Sequence, residues 1–201
     1  MKQFLLTILL GALMAPFAMS QGYDIGDKAR DFNLKNVDGT YVSLSDYSDK
    51  EGVIVIFTCN HCPYAQAYEQ RIMDIDKKFA SKGYPVVAIN PNDPELVPED
   101  SFENMKKRAK NKNYTFPYLL DKKQEVYKAY GATRTPHVFV LKNKNSKFTV
   151  RYIGTIDDNY KNPEKVNKTY LADAVNALLN DKEPNPEKTK AIGCTIKDES
   201  K

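Results

Sequence analysis

Two uninterrupted apolar runs, 53–57 and 86–89, dominate the hydrophobic pattern of the chain. Both are rich in β-branched residues, which is typical of parallel strands that are buried on both faces. Between the two runs, apolar residues recur at helical spacing: Tyr68, Ile72, Ile75 and Phe79. The order strand, helix, strand predicts a right-handed crossover unit.

The flanking segments predict further strands and helices around this unit. Residues 27–44 read as an N-terminal hairpin that turns at Asp38-Gly39, and 138–141 should pair antiparallel with 149–156 across the polar turn 142–147. An apolar stripe marks a closing helix: Leu171, Val175, Leu178 and Leu179. We therefore expect an α/β fold with a central mixed β-sheet flanked by helices and an N-terminal β-hairpin extension.

A proline-studded loop, 90–99, precedes a strongly basic segment. Asp100 and Glu103 have the spacing of a capping box that opens a helix there. The basic residues of 106–112 alternate with an apolar stripe, which favours a solvated helix face over a site for polyanions. With 30 basic and 26 acidic residues spread along the chain, no nucleic-acid partner is expected.

The first residues have the pattern of a secretory signal. Lys2 is followed by the apolar run 4–17 and then by small residues up to Ser20. The run is shorter than the roughly 20 residues that a membrane-spanning helix needs. We predict a signal peptide at 1–20, a periplasmic or secreted protein with no membrane partner after cleavage, one domain at 21–181, and a charged, proline-rich tail at 182–201.

Cys59 and Cys62 stand where the first apolar run gives way to the helical pattern. A thiol at a helix N-terminus faces unpaired backbone N–H groups, which favour the thiolate, and two cysteines at this spacing can close a disulfide. We expect Cys59 to have a depressed pKa and to attack substrates, and Cys62 to resolve the mixed disulfide. A zinc half-site or a structural disulfide is the alternative, but a zinc ribbon would need a second cysteine pair and the chain has only Cys194 left.

Several motifs together resemble the thioredoxin-like superfamily. They are Ala29-Arg30-Asp31-Phe32-Asn33-Leu34, Asp38-Gly39, Ser43-Leu44, Phe57-Thr58-Cys59-Asn60-His61-Cys62-Pro63, Thr135-Pro136-His137-Val138-Phe139, and Gly154 with Ile156-Asp157-Asp158-Asn159. In detail they are similar to its exported, peroxiredoxin-like branch, related to alkyl hydroperoxide reductase and thiol-specific antioxidant proteins. The resemblance implies a thioredoxin-like fold, a cis Pro136 beside the cysteines, and a docking edge at Thr135 and Pro136 for thiol or disulfide proteins or small thiols.

The imidazole of His61, between the cysteines, is expected to tune the Cys59 thiolate by donating to it or by placing positive charge beside it. The main function predicted is thiol–disulfide exchange without a cofactor or metal. The alternatives are a thiol-dependent peroxidase, a redox-inactive binding module, and a copper-handling protein in which His137 joins Cys59 and Cys62.

Two arrangements are open for Cys194 in the tail. Ile192 and Ile196 could anchor the tail with Cys194 as a small buried hydrophobe, which is the arrangement we expect. In the other arrangement the tail crosses the active site and Cys194 is a third redox partner.

Overall fold

The computed structural model of the chain describes residues 22–199, so the predicted signal peptide at 1–20 lies outside the described residues. The strands are β1 (Asn33–Asn36), β2 (Tyr41–Ser43), β3 (Gly52–Phe57), β4 (Val86–Asn90), β5 (Tyr118–Leu120), β6 (Arg134–Thr135), β7 (His137–Lys144), β8 (Lys147–Gly154) and β9 (Cys194–Thr195). The helices are α1 (Pro63–Phe79), α2 (Phe102–Lys112), α3 (Glu125–Tyr130) and α4 (Tyr170–Leu179). Within 22–199, no helix is both long enough and apolar enough to span a membrane.

Seven strands form the main sheet, in the order β2-β1-β5-β4-β3-β7-β8. β4 runs parallel to both β3 and β5, whereas the outer pairs are antiparallel, so the expected mixed sheet is confirmed. The predicted N-terminal hairpin is also present, and β1 joins it to the main sheet through β5. The β7–β8 pair is antiparallel as expected, but its turn is shorter than predicted because Asn145 and Ser146 alone reverse the chain, at φ 54° and 60°.

The two faces of β3 contribute to two separate layers of core. Ile54 and Ile56 pack towards α1, α2 and α4, whereas Val53 and Val55 pack towards α3 and the N-terminal segment. Each of these side chains is fully buried, and burial of one such side chain stabilises the fold by roughly 1.5–3 kcal/mol. The residues that follow β3 are therefore held on a rigid element.

The start of α2 differs from the prediction. Its N-cap residue is Ser101, and the side chain of Asp100 is buried beneath the segment after β3 instead of capping the helix. The capping box expected from Asp100 and Glu103 is therefore wrong. The reason is that the backbone N–H groups of a distant loop compete for the same carboxylate.

The basic face of α2 is partly tied to α1. Arg108 Nε donates to the buried carboxylate of Glu69, and Tyr114 Oη donates to the same oxygen over 2.7 Å. Lys112 Nζ lies 3.4 Å from the other oxygen of Glu69. Part of the basic segment therefore neutralises an internal acid.

The residues after β8 fasten α1 from the opposite side. Arg71 donates to the Asp157 carboxylate over 2.6 Å and to the carbonyl oxygens of Asn159 and Tyr160 over 2.8 and 2.6 Å. Tyr68 Oη donates to the same carboxylate over 3.0 Å. A buried ion pair with this many donors fixes the helix that follows the cysteines.

The C-terminal tail is docked along most of its length. The N–H of Thr189 donates to the carbonyl oxygen of Ile153 in β8 over 2.9 Å, and further on β9 pairs with β6 in a second, two-stranded sheet. Ile196 is buried in the layer that contains α3, whereas Ile192 is 37% exposed. Of the two isoleucines that we expected to anchor the tail, only Ile196 does so.

Candidate active site

Cys59 and Cys62 lie in the connection between β3 and α1, as the sequence predicted. The N–H of Thr58 still donates to Ile89 of β4 over 2.9 Å, so the strand pairing continues almost to Cys59. Cys62 is the N-cap residue of α1, and Pro63 occupies the first helical position, where its missing N–H costs nothing. Both sulfurs are nearly enclosed, since Cys59 is 3% exposed and Cys62 is 0% exposed.

Asn60, between the cysteines, pins the loop. Its N–H donates to an Asp100 oxygen over 2.6 Å, and its side-chain oxygen accepts from Tyr118 Oη over 3.0 Å. Its backbone carbonyl accepts from Gln66 Nε2 over 2.7 Å. These bonds run to three different elements, so the separation of the two cysteines is set by the scaffold.

The Asp100 carboxylate lies beneath this loop and is fully buried. One oxygen accepts from the N–H groups of Asn60 and His61 over 2.6 and 3.3 Å. The other accepts from His61 Nδ1 over 2.6 Å and from Asn92 Nδ2 over 2.7 Å. Sequence reasoning missed this residue, because its position at the entrance of α2 gave a local explanation for an acid.

His61 lies beside both Asp100 and Cys59, since one of its ring nitrogens is within 4.8 Å of Cys59 Sγ. Its ring nitrogen Nδ1 donates to Asp100, and the side chain is 23% exposed. We expected the imidazole to donate to the Cys59 sulfur or to lie charged beside it. The imidazole does lie beside Cys59, but its Nδ1 hydrogen bond goes to the Asp100 carboxylate and not to the sulfur.

Thr135 and Pro136 reach the cysteines, as the resemblance implied. Thr135 Oγ1 is 3.2 Å from Cys59 Sγ, and the Thr135 carbonyl oxygen is 3.2 Å from Cys62 Sγ. The Thr135–Pro136 peptide bond is cis. Thr135, the residue that precedes the cis proline, thus contacts both sulfurs.

Hydrogen-bond donors converge on Cys62 and lower its pKa. The first of them is the Cys59 thiol, followed by the Cys194 thiol and the backbone N–H groups of Ala65 and Cys194. Burial opposes this effect, and the Thr135 carbonyl accepts from Cys62 when it is a thiol. Ala65 lies in the first turn of α1, so its N–H belongs to the helix terminus that favours the Cys62 thiolate.

The pKa of Cys59 is raised. It donates its proton to Cys62, it is buried, and it lies near the negative charge of Asp100; the Thr135 hydroxyl opposes these effects. The expectation that Cys59 rather than Cys62 has a depressed pKa is therefore wrong. Cys62 itself is the N-cap residue of α1, so the backbone N–H of Ala65 lowers the pKa of Cys62 and not that of Cys59.

The tail brings Cys194 to the two cysteines. In the β6–β9 pair, Cys194 lies opposite Thr135, and it packs against the cluster of Cys59, Cys62 and Ala65. The expectation that Cys194 is only a small buried hydrophobe is therefore wrong, and the tail crosses the active site as in the other arrangement. Hydrophobic pattern alone did not distinguish a tail anchored by Ile196 beside the site from one anchored elsewhere.

Potential metal ligands also meet here, but not in the combination that the sequence suggested. Within 22–199, the side chains close enough to share an ion are Cys59, His61 and Asp100. The Asp100 oxygens already accept four hydrogen bonds, which an ion would have to displace. His137 Nδ1 accepts from the N–H of Thr133 over 3.2 Å.

The cysteine pair thus lies on a strand-to-helix connection beside a cis proline. Residues 25–161 match the AhpC/TSA family. The chain belongs to that family. This confirms the resemblance to the AhpC/TSA family that was drawn from the motifs.

Individual relatives align with a larger part of the chain than the family match does. The thiol-disulfide oxidoreductase ResA of Geobacillus thermodenitrificans is 29% identical over 164 residues, covering 78% of this chain and 87% of that protein. A crystal structure of an uncharacterized conserved protein from Geobacillus kaustophilus has a TM-score of 0.80 at 39% identity, covering 89% of this chain and 94% of that one.

The fold itself is confirmed as thioredoxin-like. The thioredoxin domain of a thiol-disulfide oxidoreductase from Bacteroides vulgatus superposes with a TM-score of 0.54 at 19% identity, covering 66% of this chain and 91% of that one. At this identity the likeness concerns the fold. The central mixed sheet with helices on both faces is that fold, as expected for an AhpC/TSA protein.

Proposed function

We propose that this AhpC/TSA protein is a thiol–disulfide oxidoreductase whose Cys59–Cys62 pair exchanges disulfides with protein or small thiol partners. The observation that carries the proposal is the meeting of both sulfurs at Thr135, whose hydroxyl oxygen is 3.2 Å from Cys59 Sγ and whose carbonyl oxygen is 3.2 Å from Cys62 Sγ, with Cys62 as the N-cap residue of α1. The relative named thiol-disulfide oxidoreductase supports it. Electrons enter and leave through sulfur alone, so no bound cofactor or metal is required.

Cys59 is the sulfur that bonds to the substrate. A substrate thiolate attacks Cys59 Sγ in the oxidised pair, the Cys59–Cys62 bond breaks, and the electron pair leaves on Cys62. A second substrate thiolate then attacks the substrate sulfur of the mixed disulfide, and Cys59 leaves and takes up a proton. Two substrate thiols become a disulfide while the pair is reduced, and the reverse sequence reduces a substrate disulfide.

The lowered pKa of Cys62 suits the resolving and leaving role. A thiol of low pKa leaves faster, and a thiolate that is already formed attacks the mixed disulfide without waiting for a base. The same stabilisation favours the reduced pair, which makes the disulfide more oxidising. His61 tunes the pair through Asp100, because its Nδ1–H offsets part of the carboxylate charge that raises the pKa of Cys59.

We assign substrate docking to the backbone of Thr135 and Pro136. An extended substrate segment can form strand-like hydrogen bonds along this edge. Since β9 pairs with Thr135, a docking substrate takes the place of β9.

The test is turnover of insulin disulfides with dithiothreitol as the reductant. We expect Cys59→Ser and Cys62→Ser each to lose at least 100-fold in rate, and only Cys62→Ser to accumulate a mixed disulfide with substrate. A matched control is Ser45→Ala, an exposed position outside the site. If either cysteine variant keeps a tenth of the parent rate, the pair is not the reacting group. Peroxide consumption or uptake of one copper ion without insulin turnover would instead favour the peroxidase or the copper-handling alternative.

Export rests on residues 1–20. We propose that cleavage after Ser20 releases the protein to the periplasm or outside the cell. Fractionation with N-terminal sequencing should find a chain that starts at Gln21 in that fraction. An uncleaved chain confined to the cytoplasm would contradict export.

A further inference from the structure

We propose that Cys194 is a third redox-active thiol of this site, which takes over the bond to Cys62 and so converts a Cys59–Cys62 disulfide into a Cys62–Cys194 disulfide. The inference rests on the proposed disulfide exchange by the CxxC pair. It assigns to the tail a chemical role that the AhpC/TSA match, which ends at residue 161, does not cover.

The register of the tail places Cys194 at the sulfurs. β9 runs antiparallel to β6, with Thr195 opposite Arg134 and Cys194 opposite Thr135. Thr135 is also the residue that contacts both Cys59 and Cys62. Cys194 also packs against the cluster formed by Cys59, Cys62 and Ala65.

Gly193 shows that the close approach of the tail is built into the sequence. A side-chain carbon at this position would lie 2.2 Å from the Thr135 carbonyl oxygen and 3.0 Å from the Pro136 nitrogen. Both neighbours are backbone atoms and cannot rotate away. Only glycine lets the tail backbone press against the peptide that precedes the cis proline.

Anchors on both sides of Cys194 hold this register. Before it, the Thr189 hydroxyl bonds to Tyr152 Oη over 2.7 Å and accepts from the N–H of Thr155 over 3.0 Å. After it, the N–H of Lys197 donates to Asn92 over 2.8 Å. The Lys197 carbonyl accepts from Gln124 Nε2 over 2.9 Å. The short span between the anchors keeps the Cys194 thiol at the site.

The chemistry is an internal exchange that needs no outside oxidant. The Cys194 thiolate attacks Cys62 Sγ, the Cys62–Cys194 bond forms, and the Cys59–Cys62 bond breaks. The electron pair leaves on Cys59, which takes up the proton given up by Cys194. One disulfide is present before and after the step, and Cys59 becomes a free thiol.

The experiment compares two-cysteine proteins. Cys59→Ser keeps Cys62 and Cys194, and Cys62→Ser keeps Cys59 and Cys194 as the matched control. Each reduced protein is treated with diamide at low concentration, free thiols are counted by maleimide labelling and mass spectrometry, and tryptic peptides are mapped. We expect the Cys59→Ser protein to remain a monomer and to oxidise both of its thiols at least tenfold faster than the Cys62→Ser protein. Peptide mapping should find peptide 51–71 joined by a disulfide to peptide 191–197.

Three outcomes overturn the inference: two thiols persisting in Cys59→Ser, a disulfide between two protein molecules, or equally fast closure in Cys62→Ser. Gly193→Ala in the Cys59→Ser background should slow closure at least threefold, and closure at the same rate would count against the tail register. The Cys194→Ser protein separates the two proposals. If its Cys59–Cys62 disulfide forms while Cys59→Ser does not close, only the third-thiol inference fails; if it does not form, the proposed function fails.

Discussion

Replacing Asp100 by Asn removes a buried negative charge beside Cys59 with little change in shape. The Cys59 sulfur and the Asp100 carboxylate lie within 4.8 Å of each other. Two unit charges at that distance interact by roughly 3 kcal/mol at an effective dielectric constant of about 20. Loss of this repulsion should raise the thiolate fraction of Cys59 roughly 100-fold.

The expected gain in reactivity is smaller than the gain in thiolate. Intrinsic nucleophilicity falls as the pKa falls, with a Brønsted coefficient of about 0.4–0.5, so the alkylation rate should rise about tenfold. The assay is iodoacetamide alkylation at pH 7 in a protein that carries Cys62→Ser and Cys194→Ser, where Cys59 is the remaining thiol. This background removes the hydrogen bond between the sulfurs and isolates the effect of the carboxylate.

The matched control is Glu99→Gln, which removes the exposed acid next to Asp100. A charge in water is screened, so this variant should alkylate within twofold of its parent. An unchanged or slower rate in Asp100→Asn, with the fold intact by circular dichroism, would refute the electrostatic role assigned to Asp100.

Three further predictions follow from buried contacts. Burial lowers the pKa of His137 to about 4 from 6.5, so between these pH values the unfolded chain binds a proton that the folded chain does not. The free energy of unfolding should therefore fall by up to roughly 3 kcal/mol as the pH drops from 6.5 to 4. Urea titrations should find this loss absent in His137→Gln, and an identical loss there would contradict the assignment. Gly193→Ala should cost about 1–3 kcal/mol and speed labelling of the parent's cysteines by freeing the tail; unchanged stability and labelling would contradict the close approach. Arg71→Leu should cost about 3–5 kcal/mol in urea unfolding because it leaves the Asp157 carboxylate without its cation, and a loss below 1 kcal/mol would contradict that role.

The strands and helices that could be predicted are those whose own residues carry a periodic pattern. The apolar runs around β3 and β4 and the stripe of α1 are local signals, and the structure confirms them. The length of the β7–β8 turn was not predictable from polarity, since polar residues continue into both strands up to Lys144 and from Lys147.

The part of the site that could be predicted is the part marked by the CxxC spacing and by the Thr135-Pro136 motif. Cys59, Cys62, Thr135 and Pro136 come together as expected. Asp100 and Cys194 were misplaced because their partners are remote in sequence, and a local explanation, a helix cap or a hydrophobic anchor, was available for each. The lowered pKa was assigned to the wrong cysteine because the assignment depended on where α1 begins. The helix begins at Pro63, so its N-cap residue is Cys62 and not Cys59.

The central claim, that Cys59 and Cys62 form a reversible redox pair, is tested most directly by a redox titration of the Cys194→Ser protein against glutathione. Mass spectrometry after thiol labelling reads the populations at each potential. The account predicts that two thiols disappear together in a single two-electron transition, with a midpoint above the roughly −270 mV of thioredoxin, because the reduced form is stabilised at Cys62. Thiols that disappear one at a time as glutathione adducts, with no internal disulfide at any potential, would contradict it.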